Sequence, residues 1–185
     1  LPETCTIMNA LGRNIRLRQV TSVPEKFGLK HEDNIKLQWL ISMLEDNEGT
    51  TMLVFSVYAE VVENICEALR KEKISCAGFH GSVSKPARTR ILNDFINGSI
   101  RVLVGTIDSL GTATDGLQTV CHTGIFFDRH WSPEINAQAI GRLDRNGQTT
   151  FVNIYYLDCA GSIDKHVGTI NMNKEVDIKK VFLGE

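Results

Sequence analysis

The sequence predicts an α/β fold, a mostly parallel sheet with helices on both faces. Three observations lead there. Short all-apolar runs alternate with longer stretches of helical period. Runs such as Met52-Leu53-Val54-Phe55 lack the polar alternation of a half-exposed strand and suit strands buried on both faces. Finally, 185 residues with 42% hydrophobic and 23% charged side chains are enough for one globular core without disulfides or metal.

Taken in order, apolar Ile7, Met8, Leu11, Ile15 and Leu17 recur at near-helical spacing until Pro24 and Gly28 break the pattern. This predicts a leading helix and linker over 1–32. Asp33 can cap a second helix running to about Glu45, with Leu37, Leu40, Ile41 and Leu44 on one face. Strand Met52–Phe55 follows, then a helix over Ala59–Lys71 with Val62, Ile65, Cys66 and Leu69 inward. Strand Ser75–Phe79, helix Lys85–Ile96, strand Val102–Val104 and strand Gly124–Asp128 come next. A helix over Pro133–Leu143 and strand Val152–Leu157 lead to a final helix starting near Ser162. The main domain spans 33–170. The extension 171–185, with Val176, Ile178, Val181, Phe182 and Leu183, reads equally as helix or strand.

Several classes drop out. Twenty basic against 22 acidic residues give a net charge of −2, so any polyanion contact has to come from a local patch. No apolar run reaches the ~20 residues of a membrane-spanning helix. The opening Leu1-Pro2-Glu3-Thr4 has no leader character and reads as a cut from a longer chain. The five cysteines are widely spaced without a Cys-x-x-Cys pair, which argues for a reducing compartment and against a disulfide framework or zinc cluster.

In parallel sheets ligands sit beyond the carboxyl ends of the strands. The segments there are Ser56-Val57-Tyr58, His80-Gly81-Ser82, Gly105-Thr106 and Asp128-Arg129-His130. The run Gly105–Leu117 reads as a Gly/Thr/Ser-rich loop able to offer N–H groups and hydroxyls to an anion, or as a plain flexible turn. Gln138, Arg142 and Arg145 share one face if helical, and adjacent guanidiniums suit a phosphate between them; a surface pair held by Asp144 is the structural alternative. His80 has no metal-ligand neighbour at the usual spacing. No G-x-x-x-x-G-K-[ST] phosphate loop occurs, nor an acidic pair after an apolar strand to hold Mg²⁺. By itself the chain lacks the lysine and metal machinery of a nucleoside triphosphatase.

In their order and spacing, five segments resemble the second lobe of superfamily 2 helicases, closest to the SWI/SNF-type DNA translocases. They are Leu53–Tyr58; Phe79-His80-Gly81-Ser82 with Arg88 and Phe95; Gly105–Leu117; Phe127–Pro133; and Gln138–Gln148. The likeness covers about Asp33 to His166, and the last segment is its most specific part. Val57, Ser109-Leu110-Gly111, Asn136 and Asp144 depart from the family pattern.

The resemblance implies a RecA-like (P-loop NTPase-type) fold and a two-lobed motor with ATP in the cleft. The N-terminal RecA-like lobe of the parent protein would hold the phosphate loop and Mg²⁺, leaving this chain inactive alone. It implies Arg142 and Arg145 as arginine fingers, Gln138, Asp115 and Gly116 beside the nucleotide, and Ser56, Tyr58, Gly81, Ser82, Thr106 and Ser109 along a nucleic-acid backbone. The implied partner is single- or double-stranded DNA, with no membrane partner. A degenerate binding module or an RNA helicase lobe is the alternative. The absence of long insertions suggests an intracellular, cytoplasmic protein of a bacterium or phage-infected cell, with the nucleus left open.

Overall fold

The computed structural model describes residues 10–113 and 116–183. Five strands form one parallel sheet: β1 (Met52–Ser56), β2 (Cys76–Phe79), β3 (Val102–Thr106), β4 (Thr123–Phe126) and β5 (Asn153–Tyr156), in the order β2-β3-β1-β4-β5. Helices α1 (Ala10–Ser22), α2 (Ile35–Asp46), α3 (Ala59–Lys71), α4 (Lys85–Ile96), α5 (Ile107–Ala113), α6 (Pro133–Ile140) and α7 (Ile163–Leu183) surround it.

Successive strand side chains point to opposite faces, and this divides the core in two. Met52, Val54, Val102, Val104 and Ile125 face α2 and α3, meeting Leu37, Leu40, Leu44, Val62, Ile65 and Leu69. Leu53, Phe55, Leu103 and Phe126 face the other way, against Leu92 and Phe95 of α4, Ile107 and Leu110 of α5, and Ala139 of α6. The all-apolar β1 is buried at every position because it lies at the centre of the sheet. β5, at the edge, is largely exposed.

The register aligns the strand ends that matter. Ser56 pairs with Thr106, Phe55 with Phe126 and Phe79 with Gly105. The carboxyl ends of β1–β4 thus form one rim.

Local chemistry moves several predicted boundaries. The cap of α2 is Asn34, whose side chain accepts from the Leu37 N–H at 3.2 Å; Asp33 instead accepts from the Lys30 N–H, closing the preceding turn. α1 leaves Ile15 and Leu17 of the predicted apolar stripe outside the core. Ile15 and Leu17 are 39% and 40% exposed, while Arg18 and Ser22 face the lobe, because α1 packs on the polar rim and not on the apolar core. Ile7 and Met8 lie outside the described residues.

Within the run Gly105–Leu117, Ile107–Ala113 form the short helix α5, since Ile107 and Leu110, three apart, both enter the core. The helix predicted to reach Leu143 stops at Ile140. Beyond Gly141 the bonds tighten to Arg142 N–H to Ala139 O and Leu143 N–H to Ile140 O, as Leu143 turns inward against the space over Gly124. Gln138 and Arg142 still lie on one side, both at Gly111, since the Gly141 N–H to Ala137 O and Asp144 N–H to Ile140 O bonds keep the helical spacing around the tightened turn. At the other end, the boundary at residue 170 falls inside α7, whose backbone is helical through Leu183.

Gly105 allows the close approach of α5. A Cβ there would lie 2.6 Å from Leu110 Cδ1 and 2.7 Å from the Phe79 carbonyl oxygen of the neighbouring strand. Gly105→Ala is expected to cost about 1–3 kcal/mol by overpacking, read as a lowered urea midpoint with unchanged m value.

Candidate functional site

The rim is built on a buried charge cluster. Lys36, in the first turn of α2, is 3% exposed. Its Nζ reaches Asp164 Oδ2 at 2.8 Å, Asp128 Oδ1 at 3.4 Å and the Phe127 carbonyl at 2.9 Å. Asp128, directly beyond β4, also accepts from Ser56 Oγ at 2.7 Å and from Ser22 Oγ. Asp164, in the first turn of α7, accepts from Thr21 Oγ1 at 3.3 Å and from the Cys159 N–H at 3.3 Å. The cluster ties α1, α2, β1, the end of β4 and α7 to one point. Burial alone would depress the lysine; the Asp128 and Asp164 charges outweigh it and leave its pKa raised.

Arg18 adds a second tie. Its guanidinium lies 5.7 Å from the rings of both Tyr58 and Trp131 and donates to the Arg129 carbonyl. The segment after Arg129 is held by Asn136. Its Oδ1 accepts from the His130 N–H at 2.8 Å, and its Nδ2 donates to the His130 carbonyl at 2.9 Å. Asn171 of α7 donates to the same carbonyl at 3.1 Å.

The predicted residues divide into distinct groups on this frame. Ser56 is fully buried; its hydroxyl donates to Asp128 and accepts from the Tyr58 N–H at 3.3 Å. The structure therefore corrects Ser56 from a surface contact to an internal support of the rim. Tyr58 is half-buried, and burial raises its pKa. Gly81 and Ser82 form an exposed turn after β2. That turn follows buried His80, whose Nε2 pairs with Glu63 Oε1 at 2.6 Å. Thr106 and Ser109 are half-exposed, at the end of β3 and on α5.

Around α5, Arg142 Nε donates to the Gly111 carbonyl at 2.8 Å, and its Nη2 donates to the same oxygen. Gln138 lies over Gly111, where a Cβ would meet its Cδ at 3.9 Å. Gly116 takes a left-handed φ of +104°, which suits glycine. Arg145 is exposed three residues beyond Arg142. Asp115 lies outside the described residues. Among the described residues, no group of three His, Cys, Asp or Glu could hold a metal ion, and no helix is long and apolar enough to cross a membrane.

The model of the helicase conserved C-terminal domain matches residues 35–147. The chain belongs to this family. Its RecA-like sheet is a C-terminal superfamily 2 helicase lobe, similar to the SWI/SNF-related members. It is 30% identical over 134 residues to the SWI/SNF-related matrix-associated actin-dependent regulator of chromatin subfamily A-like protein 1 of Xenopus laevis, covering 71% of this chain and 13% of that protein. It is 30% identical over 178 residues to the human DNA annealing helicase and endonuclease ZRANB3, covering 95% of this chain and 16% of that protein. The RNA polymerase-associated protein RapA of Actinobacillus succinogenes is 31% identical over 121 residues, covering 65% of this chain and 12% of that protein. The chain thus spans only 12–16% of these relatives' lengths. Relatives from frog, human and a bacterium give no support to the expected bacterial or phage source. The C-terminal part of the Fun30 ATPase domain shares the fold, with a TM-score of 0.69 at 20% identity over 85% of this chain and 53% of that one.

The sequence pattern places Asp128 in a rim segment without assigning it a partner, and gives no role to Lys36, Asp164 or Glu63. One signal was present: Lys36 stands on the i, i+4, i+8 stripe with Leu40 and Leu44.

Lys36→Ala leaves two buried carboxylates without their cation and is expected to cost about 3–5 kcal/mol, measured by urea unfolding at neutral pH. Because the folded pKa is raised above the ordinary 10.5, the lysine's contribution is fully present below pH 10.5. It is lost as pH climbs through the folded value. The stability gap between wild type and variant should therefore be flat from pH 7 to 10 and narrow above 10.5.

Proposed function

We propose that this chain is the C-terminal motor lobe of an ATP-dependent DNA translocase or helicase. In this reading it supplies arginine fingers and backbone contacts to a nucleotide and phosphate loop on the parent's N-terminal lobe. The observation that carries the reading is the Arg142 guanidinium docked on the Gly111 carbonyl, with Gln138 over the same glycine and Arg145 exposed close by. Arg142 and Arg145 follow α6 on the face of the sheet that carries α5, with Leu143 over Gly124 and Gln148 donating to the Cys121 carbonyl ahead of β4. Holding one edge of a guanidinium on a carbonyl fixes the cation in advance of any charge it must meet.

The residues present fit half of a nucleotide site. They include cations for a triphosphate, and the described residues include no carboxylate set for Mg²⁺. The triphosphate supplies the hydrolysable bond, and Mg²⁺ with the phosphate loop belongs to the other lobe. The role of this lobe is to present Arg142 and Arg145 when the two halves close and to withdraw them on opening. Gly116 and Asp115 belong to the nucleotide side of the rim in this assignment.

The nucleic-acid side consists of Tyr58, Gly81, Ser82, Thr106 and Ser109. Hydroxyls and backbone N–H groups hold phosphates without reading bases, so tracking should be independent of sequence. The buried Ser56 contributes only by fixing the Tyr58 N–H and Asp128.

The parent protein should hydrolyse ATP with stimulation by DNA, whereas the 185-residue chain alone should show negligible turnover. Arg142→Ala and Arg145→Ala in the parent should each reduce kcat by roughly 10³-fold or more while sparing nucleotide binding. Normal turnover in both variants defeats the finger assignment. Stimulation by RNA and not DNA reassigns the substrate. A parent gene without a phosphate loop upstream leaves a binding module.

A second test addresses the rim turn. Ser82→Glu should weaken DNA binding through like-charge repulsion of the backbone, seen as a raised Kd in a titration at fixed salt. Unstimulated ATPase should stay unchanged.

A further inference from the structure

Cys66 and Cys76 lie outside the rim chemistry, yet they meet across a packed interface. Cys66 is on the inward face of α3, fully buried; Cys76 opens β2 and is half-exposed. Cys76 Sγ sits 3.5 Å from the Cys66 carbonyl oxygen and packs against the apolar cluster that contains Cys66. The Cys66 sulfur is also close to β2 farther along, 3.6 Å from where a Cβ on Gly78 would stand. Both sulfurs thus occupy the seam between α3 and β2.

We infer that Cys66 and Cys76 form a peroxide-reactive dithiol, an oxidative modification site that closes to a disulfide linking α3 to β2. The solvent-facing member is Cys76, and the buried member, Cys66, is positioned to resolve it. Cys76 is the sulfur that peroxide can reach, whereas Cys66 is buried and burial helps to raise its pKa.

The chemistry balances with hydrogen peroxide as the oxidant. The Cys76 thiolate attacks one peroxide oxygen, the O–O bond breaks, and the sulfur gives up two electrons. The departing hydroxide takes a proton and leaves as water. Cys66 sulfur then attacks the Cys76 sulfenic sulfur; the S–S bond forms and the S–O bond breaks. The Cys66 proton leaves with that hydroxide as a second water. The other described cysteines have no such arrangement: Cys121 is buried with its thiol pKa pushed up to about 11 by burial, and Cys159 lies on the opposite side of β1, beyond β5.

The test uses the reduced 185-residue chain, treated with hydrogen peroxide, alkylated, digested without reductant and mapped by mass spectrometry. The expected result is a single cross-linked peptide pair joining Cys66 to Cys76 within one chain, reversed by dithiothreitol. Cys66→Ser should leave Cys76 as a sulfenic acid trapped by dimedone, and Cys76→Ser should leave Cys66 alkylatable. Circular dichroism establishes that each variant is folded, and the wild-type map decides the matter if either is not. Alkylation of both residues after peroxide, over-oxidation of Cys76 with Cys66 still free, or bridges only between chains would each overturn the assignment.

Discussion

A lysine enclosed by two carboxylates is the constraint on which the rest of the rim depends. Lys36 at the start of α2 meets Asp128 beyond β4 and Asp164 at the start of α7. Those carboxylates in turn collect hydroxyls from Ser22, Ser56 and Thr21. Buried charges of this kind contribute little net stability compared with a well-packed apolar cluster, but they are demanding about geometry. Every member must arrive together, because a missing partner leaves a desolvated charge. The leading helix, the sheet and the closing helix are thereby brought into one arrangement at the carboxyl edge of the strands.

The sheet divides its labour along the same edge. Its centre is apolar on both faces and rigid, with Leu53, Val54 and Phe55 fully buried. Polar side chains begin where the strands end. Gly105 brings α5 down against β3, and that in turn places Gly111 where Arg142 can use its carbonyl. A guanidinium positioned by a backbone oxygen needs no acidic partner that would neutralise its charge. Asn136 likewise uses a neutral amide to hold both backbone groups of His130.

The helical and strand periods were legible because each element's burial is governed by its own residues. β1, α3 and α4 lie where apolar spacing places them, with Ile65, Leu69, Leu92 and Phe95 inward. Illegibility began wherever a partner far along the chain decided the outcome. α1 turns Arg18 inward and leaves Leu17 out because its neighbours are Tyr58, Trp131 and the Arg129 carbonyl, more than thirty residues away. Ser56 resembles a surface contact until Asp128, 72 residues later, takes its hydroxyl.

The sequence by itself determined the class of the sheet, the order of its elements and the segments at its carboxyl ends, because hydrophobic period and turn chemistry are local. It also carried the family, through the ordered motifs ending at Gln148. Only the tertiary structure decided that Gln138 and Arg142 meet at Gly111, that Lys36 is a buried counter-ion, and that His80 pairs with Glu63. The physical reason is common to all three. Desolvation makes a polar group find a partner, and which partner is in reach is a property of the packed fold, not of spacing along the chain.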